Sequence, residues 1–336
     1  MQQKTIFVVD DSLSNLSLAE EALEKNYRVI TLSSADKLYS TLDKVIPDLI
    51  LLDIAMPDES GFDAMKKLKA NKNHAEIPVI FLTALTDTFN EALGIELGAV
   101  DFITKPFSEP VLLNRVRNHI QIDKIIKERT SQLISLKNSI VSTMSNLVEN
   151  RDIHTAGHVE RTRVHVKTLL NSMLGLDIYR DEIRQWDFDL FATAACLHDV
   201  GKIRVPSSIL NKPGSLTDTE FDIVKTHTVE GEKIIDQMIK QTGEAEFLHN
   251  AKLVAVYHHE RWDGTGYPYG LKGENIPLPG RIMAVIDAYD AMVSDRPYRK
   301  AMSHEDAVKN IRNESASHFD PMIIDAFDEA HNLFKL

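Results

Sequence analysis

Cysteine is nearly missing from this 336-residue chain: Cys196 stands alone. One thiol cannot form an intrachain disulfide, so a reducing cytoplasm is the expected setting. Basic residues fall short of acidic ones, 38 against 50, and the net charge is −12. That balance argues against holding long nucleic acid by counterion release. It leaves room for a small anionic ligand, because metals and a few Lys or Arg set the local potential. No apolar run is long enough to span a bilayer, so no membrane partner is expected. The start of the chain lacks a charged stretch followed by a clean apolar one, so no signal peptide is expected. Internal repeats and low-complexity tracts are also missing.

What is present falls into two differently patterned halves. Up to about residue 120, short apolar runs at 6–9, 29–32, 49–52, 79–82 and 100–103 alternate with helix-like stretches at 15–24, 37–44, 61–70 and 89–97. Five strands alternating with helices predict an α/β, doubly wound parallel sheet with both faces covered. Asp10 and Asp11 follow the first run, Asp53 and Thr83 end the third and fourth, and Lys105 follows the fifth. In an open parallel sheet these positions converge on one crevice. Three carboxylates there repel one another unless a cation sits among them, and Mg²⁺ is the natural oxygen-bound candidate. Asp53 can then attack a phosphoryl group, with Thr83 and Lys105 holding the new oxygens. A lone strand-end Asp is commonly a turn or cap residue, but this set across four strand ends is specific.

At these residues the chain resembles the receiver domain of two-component response regulators, over about residues 4–120. The resemblance implies that Asp53 is the phosphoacceptor, and that Asp10 and Asp11 bind Mg²⁺ with Asp53 and the Ala55 carbonyl. It further implies Thr83 as the switch hydroxyl, Phe102 as the switch aromatic, and a cognate histidine kinase as partner.

Between Glu109 and about residue 150 there is no glycine and, after Pro110, no proline. Ile126, Leu133, Leu136, Ile140, Met144 and Leu147 mark a stripe on a long helix. Pairing with a second copy as a coiled coil explains it better than a solvated connector does. From about residue 151 helical patterns dominate, at 159–174, 189–198, 218–240, 249–258, 280–293, 304–313 and 321–334. Pro and Gly gather in loops 205–217 and 263–279. The expected organisation is thus a receiver at 1–120, a helical linker at 121–147 and an all-α domain at 148–336.

In that second half His198-Asp199 is followed by Lys202, and His258-His259 by Gly264-Thr265-Gly266-Tyr267-Pro268. Imidazole and carboxylate donors mixed in this way suit a catalytic divalent cluster, not a closed structural zinc site. Asp199 could bridge two metals, with His227 and Asp287 on neighbouring helices. His154 and His158, four apart, could also meet a metal. His74, His119, His249, His304, His318 and His331 read as surface or capping residues. His165 reads as structural and Cys196 as a small buried side chain.

The segments HDVGK (198–202) and HHERWDGTGYP (258–268) resemble the HD-GYP subgroup of HD-domain phosphohydrolases, over about residues 140–336. The resemblance implies hydrolysis of cyclic di-GMP to linear pGpG, with GMP as a further product left open. It implies His158, His198, Asp199, His227, His258, His259 and Asp287 as ligands of iron or manganese. Lys202, Arg296 and Arg299 match positions that contact substrate phosphate, and Gly266, Tyr267 and Pro268 shape the pocket mouth. Asp199 and Lys202 would be the catalytic pair. Some members carry a Glu four residues before the first His and bind three metals. This chain has His154 there, so two metals are expected. A homodimer through the linker helix and a diguanylate cyclase partner complete the expectations. Two alternatives stay open: hydrolysis of another cyclic dinucleotide such as cyclic GMP-AMP, and a non-catalytic messenger sensor.

Overall fold

The computed structural model describes residues 3–83, 88–149, 157–243, 245–295 and 300–335. Two compact units emerge, Met1–Leu133 and Ile134–Leu336. In the first, strands β1 (Thr5–Val9), β2 (Arg28–Leu32), β3 (Leu49–Asp53), β4 (Val79–Thr83) and β5 (Asp101–Thr104) pair in parallel in the order β2-β1-β3-β4-β5. Strands β1, β3 and β4 are buried throughout, as continuous Val/Ile/Leu/Phe runs predict for a sheet covered on both faces. Four helices separate the strands: α1 (Leu13–Leu23), α2 (Ala35–Leu42), α3 (Gly61–Ala70) and α4 (Thr88–Glu96). Phe7 and Val9 face a core with Leu38, Leu42 and Met65, while Ile6 and Val8 face Leu16, Leu23 and Leu112. This alternation sets the C-terminal strand ends at a common rim.

Helix α5 (Glu109–Glu149) runs 41 residues without a break. Near its end, inside the second unit, Val141, Ser145 and Val148 are buried. Ile126, Leu133, Ile140 and Leu147, spaced by sevens, are exposed together with Leu136, whereas Met144 is half-buried.

The second unit is helical: α6 (His158–Gly175), α7 (Arg180–Ile183), α8 (Phe188–Ala195), α9 (Ser207–Leu210), α10 (Asp218–Lys225), α11 (His227–Thr242), α12 (Glu246–Tyr257), α13 (Leu278–Val293), α14 (His304–Asn313) and α15 (Pro321–Ala330). Its main core joins Leu169, Phe191, Ile282, Tyr289 and Phe327. A second cluster joins Val141, Leu197, Ile235 and Ala255.

Two boundaries differ from the sequence expectation, and both serve the site. The helix expected over 218–240 breaks at Thr226, whose hydroxyl donates to the Ile223 carbonyl at 2.6 Å. A hydroxyl bonding back to its own turn competes with the helix ladder, and the break places His227 at the start of a new helix. The helix expected over 189–198 stops at Ala195. Leu197 and His198 then make i→i−3 bonds to Ala194 and Ala195, and a 3₁₀ turn runs over Val200–Arg204. Gly201 lets that turn approach α11: a Cβ there would lie 1.9 Å from the His227 carbonyl oxygen. Among the described residues no helix is long and apolar enough to cross a membrane.

Candidate metal centre and receiver pocket

Five imidazoles and two carboxylates from five segments meet in the second unit. His158 opens α6, His198 and Asp199 occupy the turn after α8, and His227 opens α11. His258 and His259 follow α12, and Asp287 lies in α13. Donor atoms of His158, His198 and Asp287 lie within 4.8 Å of one another, as do those of His227, His258 and His259. Asp199 stands between these trios. Its Oδ2 is 3.3 Å from His198 Nε2, and its Oδ1 is 3.4 Å from His227 Nε2 and 3.9 Å from His258 Nε2.

The ring orientations are set from behind. The Nδ1–H of His198 donates to the Ala195 carbonyl at 3.0 Å, that of His227 to Val224 at 2.7 Å, and that of His258 to Val254 at 3.0 Å. The Nδ1 of His158 donates to Asp290 Oδ2 at 2.6 Å. These acceptors fix the tautomer and turn each Nε2 inward, the arrangement that metal-ligating histidines use. Two Nε2 pairs then face each other, His158 with His198 at 3.3 Å and His227 with His258 at 3.4 Å. Asp199 Oδ1 is buried without a hydrogen-bond partner. Facing lone pairs and an orphaned carboxylate oxygen are costly unless positive charge lies among them.

The electrostatics agree. Burial opposes charge on Asp199, but Lys202 and His198 hold its carboxyl well below the usual range. Burial also works against a charged His198, yet Asp199 and Asp287 raise its pKa to about 9. Burial, with His198 and His227 alongside, drives His258 down to about 3, and burial lowers His259 as well. Positive charge is thus favoured beside Asp199 and Asp287, while His258 and His259 are held neutral, as metal ligands must be. A mixed nitrogen and oxygen donor set of this kind fits divalent transition metals.

The histidines and carboxylates open into a cavity of about 350 Å³. Lys202 lines it, with Nζ 2.6 Å from Asp199 Oδ2. Tyr267 stacks on His259 with ring centroids 4.7 Å apart. Gly266 is required by close approach, since a Cβ there would lie 2.3 Å from the Arg261 nitrogen. Pro268 completes the turn, and buried Glu260 accepts from the Tyr269 and Leu271 nitrogens at 2.8 and 3.0 Å, tying the loop down. His154, Arg296 and Arg299 lie outside the described residues.

Sequence reading missed Asp290, which holds His158 and is itself held by Arg161 Nε at 2.5 Å. Its place one helical turn after Asp287 was the available signal. His318 is a correction: it lines the cavity and pairs with Glu314 at 2.9 Å, rather than capping a surface turn. His304 and His331 bond to each other at 3.0 Å, away from the cavity lining. His165 and Cys196 are buried.

In the first unit, donor oxygens of Asp10, Asp11 and Asp53 gather within 4.8 Å. Lys105 Nζ lies 2.6 Å from Asp10 and 2.8 Å from Asp53. Thr83 is buried at the neighbouring strand end. Phe102 packs on Phe81 at 5.6 Å and directly over Gly94, where a Cβ would lie 2.4 Å from its ring.

Residues 6–117 match the response regulator receiver domain family, and residues 142–323 match the HD domain family. A protein of Vibrio cholerae named "Probable cyclic di-GMP phosphodiesterase" is 40% identical over 342 residues, covering 97% of this chain and 78% of its own. The "Cyclic di-GMP phosphodiesterase response regulator RpfG" of Xanthomonas campestris is 32% identical over 338 residues, covering 96% and 86%. The chain belongs to the HD-domain response regulators. A narrower match is the "3'3'-cGAMP-specific phosphodiesterase 2" of Vibrio cholerae, 33% identical over 186 residues, covering 56% of this chain and 33% of that protein. For a response regulator of this family the HD domain implies a metal-dependent hydrolase, and the receiver implies a phosphodonor such as a histidine kinase.

Proposed function

We propose that the HD domain hydrolyses cyclic di-GMP to linear pGpG, under control of phosphorylation at Asp53. The single observation that carries this is the placement of Asp199 between two trios of ligand atoms. The two broad relatives, named for cyclic di-GMP, favour that substrate over cyclic GMP-AMP. The inward donors of His158, His198 and Asp287 would hold one cation and those of His227, His258 and His259 a second, shared through Asp199. Iron or manganese suits imidazoles mixed with carboxylates. Bound there, divalent cations supply Lewis acidity toward a phosphoryl oxygen and lower the pKa of a water.

The chain's own residues do the rest. Lys202 brings positive charge to the cavity wall, where charge grows on the phosphoryl oxygens. The family resemblance assigns phosphate contact to Arg296 and Arg299 as well, a role that suits the guanidinium fork. Asp290 holds the His158 ring, and the Gly266-Tyr267-Pro268 turn walls off one side. A complete ligand set favours turnover over a purely sensory role.

In the receiver, Lys105 neutralises Asp10 and Asp53 while Asp10, Asp11 and Asp53 hold Mg²⁺. A phosphoryl group on Asp53 adds charge and acceptor oxygens, which Thr83 and Lys105 take up as Phe102 repacks. The heptad-spaced exposed residues Ile126, Leu133, Ile140 and Leu147 support a parallel homodimer along α5. A diguanylate cyclase is a further proposed protein partner. Protein produced with iron or with manganese, incubated with cyclic di-GMP with and without an acyl-phosphate donor, tests both halves. Linear product at different rates in the two arms is expected. Intact cyclic di-GMP in the metal-replete samples would refute the reading.

A further inference from the structure

Helix α10 contributes an unexplained aromatic to the catalytic cavity. Phe221 lines the cavity yet is 45% exposed, and it belongs to none of the core clusters among the described residues. Helix α10 buries no residue at all. It is held instead by its start: Thr217 and Glu220 form a reciprocal capping box, and Lys212 pairs with Glu220 at 2.6 Å. The ring is therefore presented to the cavity by a helix whose folding does not depend on it. Leaving a large apolar face open to water at such a place is a cost that ligand contact would recover.

The surroundings define what would cover it. Phe221 meets the Tyr267 ring edge-on at 6.4 Å, so the two rings form a corner at the cavity wall. Lys225 Nζ sits over both, 4.8 Å from the Phe221 centroid and 5.9 Å from that of Tyr267. Its carboxylate partner among the described residues is Asp222 at 2.9 Å, an exposed pair that is easily exchanged. A flat π-face with a cation at its side matches a purine. The base stacks on the ring, and the ammonium donates to acceptors on its edge. Guanine presents two adjacent acceptors there, O6 and N7. Adenine replaces O6 with a donor amine, which repels the cation.

We propose that Phe221 and Lys225 form the base-recognition wall of the cavity, with Phe221 stacking a nucleobase of the cyclic dinucleotide and Lys225 selecting guanine. This rests on the phosphodiesterase reading above and adds the determinant of base specificity to it.

The test uses the metal-loaded full chain and two substrates, cyclic di-GMP and cyclic di-AMP. KM is measured for each, or an inhibition constant where a dinucleotide is not turned over. Phe221→Ala should raise the constant for both dinucleotides about tenfold, the loss falling on KM and not on kcat. Phe221→Trp should restore it, which a merely structural role would not predict. Lys225→Met should weaken cyclic di-GMP several-fold and bring the two dinucleotides together. Unchanged constants in Phe221→Ala, or undiminished guanine preference in Lys225→Met, would overturn the proposal. If the unsubstituted protein turns over neither dinucleotide, the phosphodiesterase reading itself falls and takes this wall with it.

Discussion

His158 and Asp290 are joined by a 2.6 Å hydrogen bond between Nδ1 and Oδ2, with both side chains buried. Arg161 holds the far side of the same carboxylate and reaches Ser294 at 2.9 Å. A carboxylate that orients a ligand histidine and raises its basicity commonly accounts for about 10–100-fold in metal affinity. Asp290→Ala should therefore weaken metal binding by that order while the helices still form. Titration against a competing chelator measures it. Unaltered affinity would mean that His158 is not a ligand.

Gly201 carries a different kind of constraint. Any side chain there collides with the His227 carbonyl and the Gly231 nitrogen, at 1.9 and 2.4 Å. Both are backbone atoms, so the turn must move away from α11. Gly201→Ala should cost about 1–3 kcal/mol in chemical denaturation, and the displaced Asp199 should lower metal content in the same sample. A variant as stable and as metal-rich as the parent would show that the turn has slack.

Ser145 connects α5 to the metal turn. Its hydroxyl donates to the Cys196 carbonyl at 2.7 Å, two residues before His198, and the contact is buried. Ser145→Ala should cost about 0.5–1.5 kcal/mol in stability. Under the proposed control, it should also shrink the difference in turnover between phosphorylated and unphosphorylated protein. Turnover ratios measured with and without an acyl-phosphate donor decide this. A full response in the variant would place the coupling elsewhere.

His165 gives a pH dependence at a residue outside the ligand set. Burial pushes its pKa down to about 4, and its ring stacks on Phe334 at 4.5 Å. The unfolded chain binds that proton near pH 6.5, so between about 6.5 and 4 it holds more protons than the fold does. This contribution to stability is complete above pH 6.5 and declines as pH falls toward 4, by up to about 3 kcal/mol. His165→Gln should lose less stability between pH 7 and 4.5 than the parent in paired denaturation curves. Parallel losses would assign the acid sensitivity to other groups.

Sequence reading succeeded where chemistry and chain position coincide. The receiver pocket was legible because parallel topology carries strand ends to one rim, and Asp10, Asp53, Thr83 and Lys105 stand at strand ends. The candidate metal-binding residues stand in recognisable motifs, but their grouping into two trios depends on how five segments pack and is not written in the sequence. Asp290 and Arg161 escaped notice because an Asp and an Arg on helices ordinarily read as solvated. Phe221 falls within what the sequence presents as one long helix, whereas the structure ends α10 at Lys225 and places Phe221 on the cavity wall. His318 looked superficial because nothing nearby in sequence shows that its segment folds back on the Trp262 backbone, whose nitrogen donates to the His318 carbonyl at 2.9 Å.

We propose that Asp199 joins two clusters of ligands into one hydrolytic centre. Metal content and cyclic di-GMP turnover, measured together on parent and Asp199→Ala protein loaded with iron or manganese, test it most directly. About two metals per chain and linear product are expected in the parent, and loss of both in the variant. Undiminished turnover by a folded Asp199→Ala protein would contradict it.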